Sequence, residues 1–329
     1  MKEEIYEASL ANDVLLEQIR KDSKLRYSYG VIPPGYSSMT APLFDMDSVW
    51  KLLDGAIDDH IHSEPDAYNT RVFDELELSI QACQVGMKAV VFKCHSMPSA
   101  RSTNIVQRVV NKWADEHRKR RIDVFGGVVL NYNVGGLNPE AVSVSYRIGG
   151  KLVWLPNMDA SFHHKVMGTS GGIDVLDEND RIVPPLREII AMIAEGDMVL
   201  SICHQSTKER FILIDEAKRM GVKRIEICHP NEVTAKMTVE QMKIAANKGA
   251  YISFHCTSFR PLQWSWDEFV QATKIVGCDR IIAATDCGHF ASPTPVEAMR
   301  LFIVGMIMQG ITEKDIEKMV KNNPSTLIY

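Results

Sequence analysis

From residue 55 onward, eight short apolar runs alternate with eight amphipathic stretches, and no other feature constrains the fold as tightly. The runs cover residues 55–62, 88–95, 124–131, 151–156, 198–204, 224–229, 251–255 and 280–286. Near-continuous apolar runs of this length are what strands buried on both faces require. The stretches between them, 71–84, 101–118, 138–147, 186–194, 206–220, 238–248, 265–276 and 295–309, carry helical periodicity. Several open on side chains that satisfy orphan backbone N–H groups. Ser206 with Glu209, Thr238 with Gln241 and Ser265 with Glu268 read as capping boxes, and Thr294-Pro295 with Glu297 opens the eighth stretch in the same way. Gly86, Gly221, Gly249 and Gly277 follow helical stretches, where glycine closes a helix without strain. Strands alternating with helices predict a parallel sheet, and eight such units predict a (β/α)8 TIM barrel. A doubly wound sheet is the rival, but the GxGxxG fingerprint of its nucleotide-binding members is absent. Residues 169–184 break the rhythm and read as a small hairpin inserted after strand 4, with DVLD and RIV flanking a Glu-Asn-Asp turn.

The rhythm divides the chain into an N-terminal helix and arm, residues 1–50, and a barrel, residues 51–329. Residues 1–23 show helical spacing of Ile5, Leu10, Val14, Leu15 and Ile19, while 27–46, with Pro33-Pro34-Gly35, read as a loop. The apolar face of that first helix needs cover, from its own barrel or from a second subunit, and a homo-oligomer is expected. Hydrophobic residues at 45% and charged residues at 24% exclude a disordered chain. A net charge of −5 argues against nucleic acid as a partner, since binders usually carry a basic stripe. No run reaches the ~18 apolar residues of a membrane span, and the polar, acidic start MKEEIYEASL is no signal peptide. Seven cysteines without a CxxC pair, most of them in apolar runs, fit a reducing cytoplasm better than a disulfide framework.

Of ten histidines, only His117 lies in a surface-helix pattern. His60, His62, His95, His163, His164, His204, His229, His255 and His289 stand at the ends of the proposed strands or just beyond. In a barrel those ends share one face, the face that carries the active site. His60 and His62, two apart on strand 1, point to the same side, so two imidazoles can share a metal ion. A buried structural pair is the alternative, but it leaves the desolvation of two imidazoles without a partner. His204 ends strand 5, His229 ends strand 6 and Asp286 ends strand 8, where an isolated carboxylate would be costly. Four imidazoles and a carboxylate suit Zn2+ or a similar ion.

HxH on strand 1, histidines ending strands 5 and 6 and aspartate ending strand 8 resemble the amidohydrolase superfamily across residues 55–326. The tail from Ile311-Thr312-Glu313 to Asn323-Pro324-Ser325-Thr326-Leu327 resembles its closing helix and NPxxL turn. VLNYNVGGLNPEAV (129–142), KLVWLPNMDA (151–160), GIDVLDENDRIVP and CHP (228–230) are similar to an uncharacterised amidohydrolase-like family. The resemblance implies one or two Zn2+ per chain, with Mn2+ or Fe2+ as alternatives, held by His60, His62, His204, His229 and Asp286. It implies hydrolysis by hydroxide on that ion, with Asp286 as proton acceptor and His229 or Lys93 stabilising the oxyanion, and a small molecule with an amide, cyclic amide, lactone or related ester bond as substrate. The bridging lysine that many members carry on strand 4 is missing; strand 4 ends WLPNMDA. A carbamylated Lys93 on strand 2 is the candidate bridge, with Cys94 second; in a one-ion site Lys93 would instead contact substrate. Asp159 is a further possible ligand. Asn131, Asn157, Arg260 and His289 are the candidate substrate contacts. The rival functions are a metal-dependent decarboxylase or lyase of the same superfamily, a phosphoesterase of the polymerase-and-histidinol-phosphatase type, and a binding protein on a decayed barrel.

Overall fold

The structure, a computed structural model, describes residues 46–258 and 265–329. Eight parallel strands form one sheet in sequence order: β1 Ile57–Ile61, β2 Ala89–Phe92, β3 Asp123–Val129, β4 Leu152–Trp154, β5 Val199–Ile202, β6 Arg224–Cys228, β7 Tyr251–His255 and β8 Ile281–Ala284. The sheet closes just beyond the strand ends. Ile61 bridges Cys287 in parallel, the Asp286 N–H donates to the His60 carbonyl at 2.8 Å, and the His62 N–H donates to the Cys287 carbonyl at 2.8 Å. This is the expected TIM barrel, and its seam runs through three of the candidate site residues.

The helices are α1 Met46–Leu53, α2 Glu75–Gln84, α3 Ala100–Glu116, α4 Pro139–Arg147, α5 Ser161–Met167, α6 Pro184–Glu195, α7 Thr207–Arg219, α8 Val239–Asn247, α9 Trp266–Ala272, α10 Pro295–Met308, α11 Glu313–Glu317 and α12 Asn323–Ile328. The boxes at Ser206, Thr238 and Ser265 form reciprocally. Thr294 accepts from the Glu297 N–H, but the Glu297 carboxylate turns to Arg300. A further box, Asp74 with Glu77, opens α2. The barrel floor is apolar: Ile57, Val91, Leu152, Trp154, Val199 and Ile282 pack with Leu327 and Ile328 of α12. Asn323 holds that helix in place by donating to the Cys278 and Ile281 carbonyls at 2.7 and 2.6 Å. The resemblance pointed to this closing turn, and its work is to plug the end opposite the site.

The insert turns back on itself where expected, as a minimal hairpin: Leu176 and Ile182 form one antiparallel bridge, the Asp177 N–H donates to the Arg181 carbonyl at 2.8 Å and the Val183 N–H to the Val175 carbonyl at 3.3 Å. One expectation beside this insert needs adjustment. The short helix α5 precedes it and carries His163 and His164, which were expected in loop. The helix expected over residues 1–23 lies outside the described residues. The arm expected over 27–46 lies outside them too, save Met46, which opens α1. No described helix is long and apolar enough to cross a membrane.

One half-buried acid gives the barrel a pH signature. Burial, opposed by a hydrogen bond from Ser102, pushes the Glu75 carboxyl at the start of α2 up to about 7. A raised folded-state pKa favours the neutral acid in the native state. Its stabilising effect is full below the unfolded value and is lost as pH rises through about 7. Glu75→Gln is therefore expected to be more stable than the parent at pH 8, by roughly 3 kcal/mol at most, with the gain vanishing near pH 4. Urea denaturation at both pH values measures this, and an equal effect at both would refute it.

Candidate metal centre

The first donors come from β1. Its alternation brings His60 and His62 to one side, with rings 5.5 Å apart and both residues buried. Asp286 reaches them across the seam: its Oδ1 lies 3.0 Å from His62 Nε2 and 3.4 Å from His60 Nε2. Three donor atoms from β1 and the β8 end thus converge. Lys93, just past β2, places Nζ 3.2 Å from His60 Nε2 and is itself buried.

His229 and Asp286 both hold left-handed backbone, at φ of 32° and 53°. Asp and His tolerate this conformation better than most side chains, yet it is uncommon outside glycine and persists where the surrounding fold imposes it, as at functional sites. For His229 it breaks the strand alternation, so that Cys228 and the imidazole after it are both available to the barrel interior. His204 packs 4.8 Å from His229, ring to ring. His163 of α5 stacks on His204, with their Nδ1 atoms 2.7 Å apart. His255, at the end of β7, lies 4.3 Å from His60 and 5.1 Å from His229, and its Nδ1 is 3.7 Å from Asp286 Oδ2. His95 lies 4.7 Å from His62.

Burial decides the protonation of this cluster. Desolvation is the largest influence on His60, His62, His95, His204 and His229, and it lowers every one of them; nearby positive groups, Lys93 foremost for His60 and His204, add to it. The imidazoles are therefore neutral, the form that ligates metal. Burial opposes ionisation of Asp286, but His60, His255 and His62 facing it hold its carboxyl well below the usual carboxylate range. Nδ1 of His62, His95 and His255 is buried without a hydrogen-bond partner. Orphaned neutral imidazoles around an ionised carboxylate fit a divalent ion, which supplies the missing partner.

Above the cluster opens a cavity of about 360 Å³. Lys93, His95, His204, His229, Glu232 and Asp286 line it together with His62, Asn69, Arg71, Asn157, Met158, Thr257 and His289. The structure thus gathers His60, His62, Lys93, His204, His229 and Asp286 at one place, with Asn157 and His289 on the cavity wall. Asn131 is not on that wall. Its amide donates to the His95 carbonyl and to Asn157 Oδ1, and its carbonyl oxygen accepts from the Asn157 N–H, so it positions Asn157. Cys94 turns to Ser96, with Sγ 3.5 Å from Oγ, and Asp159 accepts from the Tyr132 N–H at 2.7 Å. Arg260 lies outside the described residues. Sequence reasoning missed Arg71, buried and paired to Asp66 at 2.7 Å, and gave His255 no part in the metal site although it sits beside His60.

A protein-family model described as "Family of unknown function (DUF6282)" matches residues 55–253, more than half of the chain. The chain belongs to that family. The matched region of this DUF6282 member runs from β1 to β7 and includes every candidate ligand except Asp286 and His255. No curated protein matches the chain in sequence. Solved structures do match its fold. An amidohydrolase from Pseudomonas aeruginosa aligns at a TM-score of 0.60 and 13% identity, over 86% of this chain and 97% of the other. The probable dipeptidase PvdM from Pseudomonas aeruginosa aligns at 0.58 and 10%, over 86% and 98%. The dipeptidase AC, a metallo peptidase, aligns at 0.51 and 11%, over 84% and 98%. The chain shares the (β/α)8 barrel fold of these structures.

Proposed function

We propose that the protein is a metal-dependent hydrolase that cleaves an amide, cyclic amide, lactone or related ester bond of a small polar molecule. The observation that carries this is the convergence of His60 Nε2, His62 Nε2 and Asp286 Oδ1 beneath a polar cavity. The nitrogen-rich donor set suits Zn2+, with Mn2+ and Fe2+ as alternatives. Such an ion, when bound, lowers the pKa of water to ~7 and polarises the oxygen of the scissile group. Asp286, ionised and with a small part of its side chain open to the cavity, takes the proton released at the nucleophile and returns it to the leaving group. His229 and Lys93 line the same wall and face the position where oxyanion charge develops. The cavity of about 360 Å³ sets the substrate's size, and its wall of amides, imidazoles and charges favours polar groups. The chain is read as a homo-oligomer of the cytoplasm, from the apolar face of its N-terminal segment and its unpaired cysteines.

Plasma mass spectrometry on protein purified without added metal or chelator, with hydrolysis assays on cyclic amides, lactones and dipeptides, tests the reading. One ion per chain assigns Lys93 to the substrate oxygen; a second ion assigns it to the bridge only where intact-mass spectrometry finds a carbamate on Lys93. No ion after reconstitution, or release of carbon dioxide from aromatic carboxylates without hydrolysis, would overturn the proposal.

A further inference from the structure

Cys203 and Cys228 are the best-placed chemistry that the hydrolytic reading leaves unused. β5 and β6 pair Ser201 with Glu226 and Ile202 with Ile227, so Cys203 and Cys228 are the next residues along the two strands. By strand alternation they share the inward face with Ser201 and Glu226. Both are fully buried free thiols. Ser201 Oγ lies 2.8 Å from Cys228 Sγ and donates to Glu226 Oε2 at 2.6 Å, so the hydroxyl proton is already committed. His229 follows Cys228 directly, and its left-handed backbone keeps the imidazole close to both sulfurs. The two Sγ atoms and one ring nitrogen of His229 all lie within 4.8 Å of one another. That upper bound admits the edges of a tetrahedron drawn with metal–sulfur bonds of ~2.3 Å and metal–nitrogen bonds of ~2.0 Å.

A second observation is independent of the sulfurs. His229 Nδ1 is buried with no hydrogen-bond partner, although the residue is only 3% exposed. A buried imidazole edge left unpaired is costly, and a bound cation removes the cost. The position is also separate from the His60–His62–Asp286 convergence. His60 turns Nε2 to Asp286 and Lys93, and turns Nδ1 to Cys228 Sγ at 3.7 Å. The two positions therefore lie toward different nitrogens of one ring.

We infer that Cys203, Cys228 and His229 form a second, thiolate-bearing metal position inside the barrel, selective for a thiophilic divalent ion of the zinc class. Two thiolates neutralise such an ion, so the position binds it without adding net charge to the interior. Both thiols must release their protons on binding, which makes uptake weaker at low pH. The inference does not depend on the bond that the enzyme cleaves.

The test uses the full chain, stripped with chelator and titrated with Co2+. Thiolate ligation gives a sulfur-to-cobalt charge-transfer band in the near ultraviolet, which histidine and carboxylate ligands do not produce. The band is expected in the parent, lost in Cys203→Ser/Cys228→Ser, and kept in Cys256→Ser/Cys287→Ser, whose sulfurs form the other close pair at 3.8 Å. It is also expected to persist in His60→Ala/His62→Ala, where the hydrolytic reading predicts loss of activity. Retention there with no activity in the parent would sink the hydrolase and leave the thiolate position standing. X-ray absorption on the zinc-loaded parent needs no variant: two sulfur scatterers at ~2.3 Å are expected. Nitrogen and oxygen scatterers alone, or a cobalt band that survives loss of Cys203 and Cys228, would overturn the inference.

Discussion

Asp286→Asn is expected to leave the barrel folded and to cut turnover by about a thousandfold, which is ~4 kcal/mol of transition-state stabilisation. The substitution keeps the shape of the side chain and the Asp286 N–H bond to the His60 carbonyl that closes the seam. It removes the anion that faces His60, His62 and His255, and with it the carboxylate that holds the proton between the nucleophile and the leaving group in the proposed reaction. The amide still offers an oxygen at the place of Oδ1, so a bound ion is weakened rather than lost. The prediction is therefore a collapse in kcat with a smaller change in metal content. Circular dichroism and denaturation confirm the fold, and steady-state kinetics on the substrate found by the panel reads the loss. Turnover within threefold of the parent would remove Asp286 from the chemistry.

How much of this was legible in the sequence depends on how far apart the interacting parts lie. Strands and helices follow from local patterns, so the eight runs and the boxes at Ser206, Thr238 and Ser265 appear where expected. His60, His62, His204, His229 and Asp286 were legible because the barrel brings all strand ends to one face, whatever their separation in sequence. Arg71 was not. The periodicity placed it in the helical stretch 71–84, whereas α2 begins at Glu75, and it reaches the cavity through an antiparallel bridge to His289, far away in the chain. The depth of His255 was hidden as well, because a histidine at a strand end reads the same whether it faces a loop or a neighbouring imidazole. The thiol pair needed the β5–β6 register, which no local pattern encodes. Helix α5 was masked by its two histidines and by the glycines that follow it.

Gly288→Ala carries the largest expected cost to the fold, and it reaches the site through the backbone. Gly288 sits at φ 124°, where side chains are strained whatever the space. A Cβ there would also lie 1.9 Å from the His62 carbonyl oxygen and 2.6 Å from its carbon, both backbone atoms that cannot swing aside. The chain must separate at this point, and this is where the barrel closes, through the His62 N–H to the Cys287 carbonyl and the Ile61–Cys287 bridge. Strain of this kind costs about 3 kcal/mol or more. Movement of the β1 end carries His62 Nε2 away from its 3.0 Å contact with Asp286 Oδ1, so metal affinity falls along with stability. Chemical denaturation is expected to show a lower midpoint with an unchanged slope, and mass spectrometry a lower metal content in the protein that remains folded. A midpoint equal to the parent's would mean that the seam yields freely at Gly288, and that the position of His62 is set by the β1–β2 pairing alone.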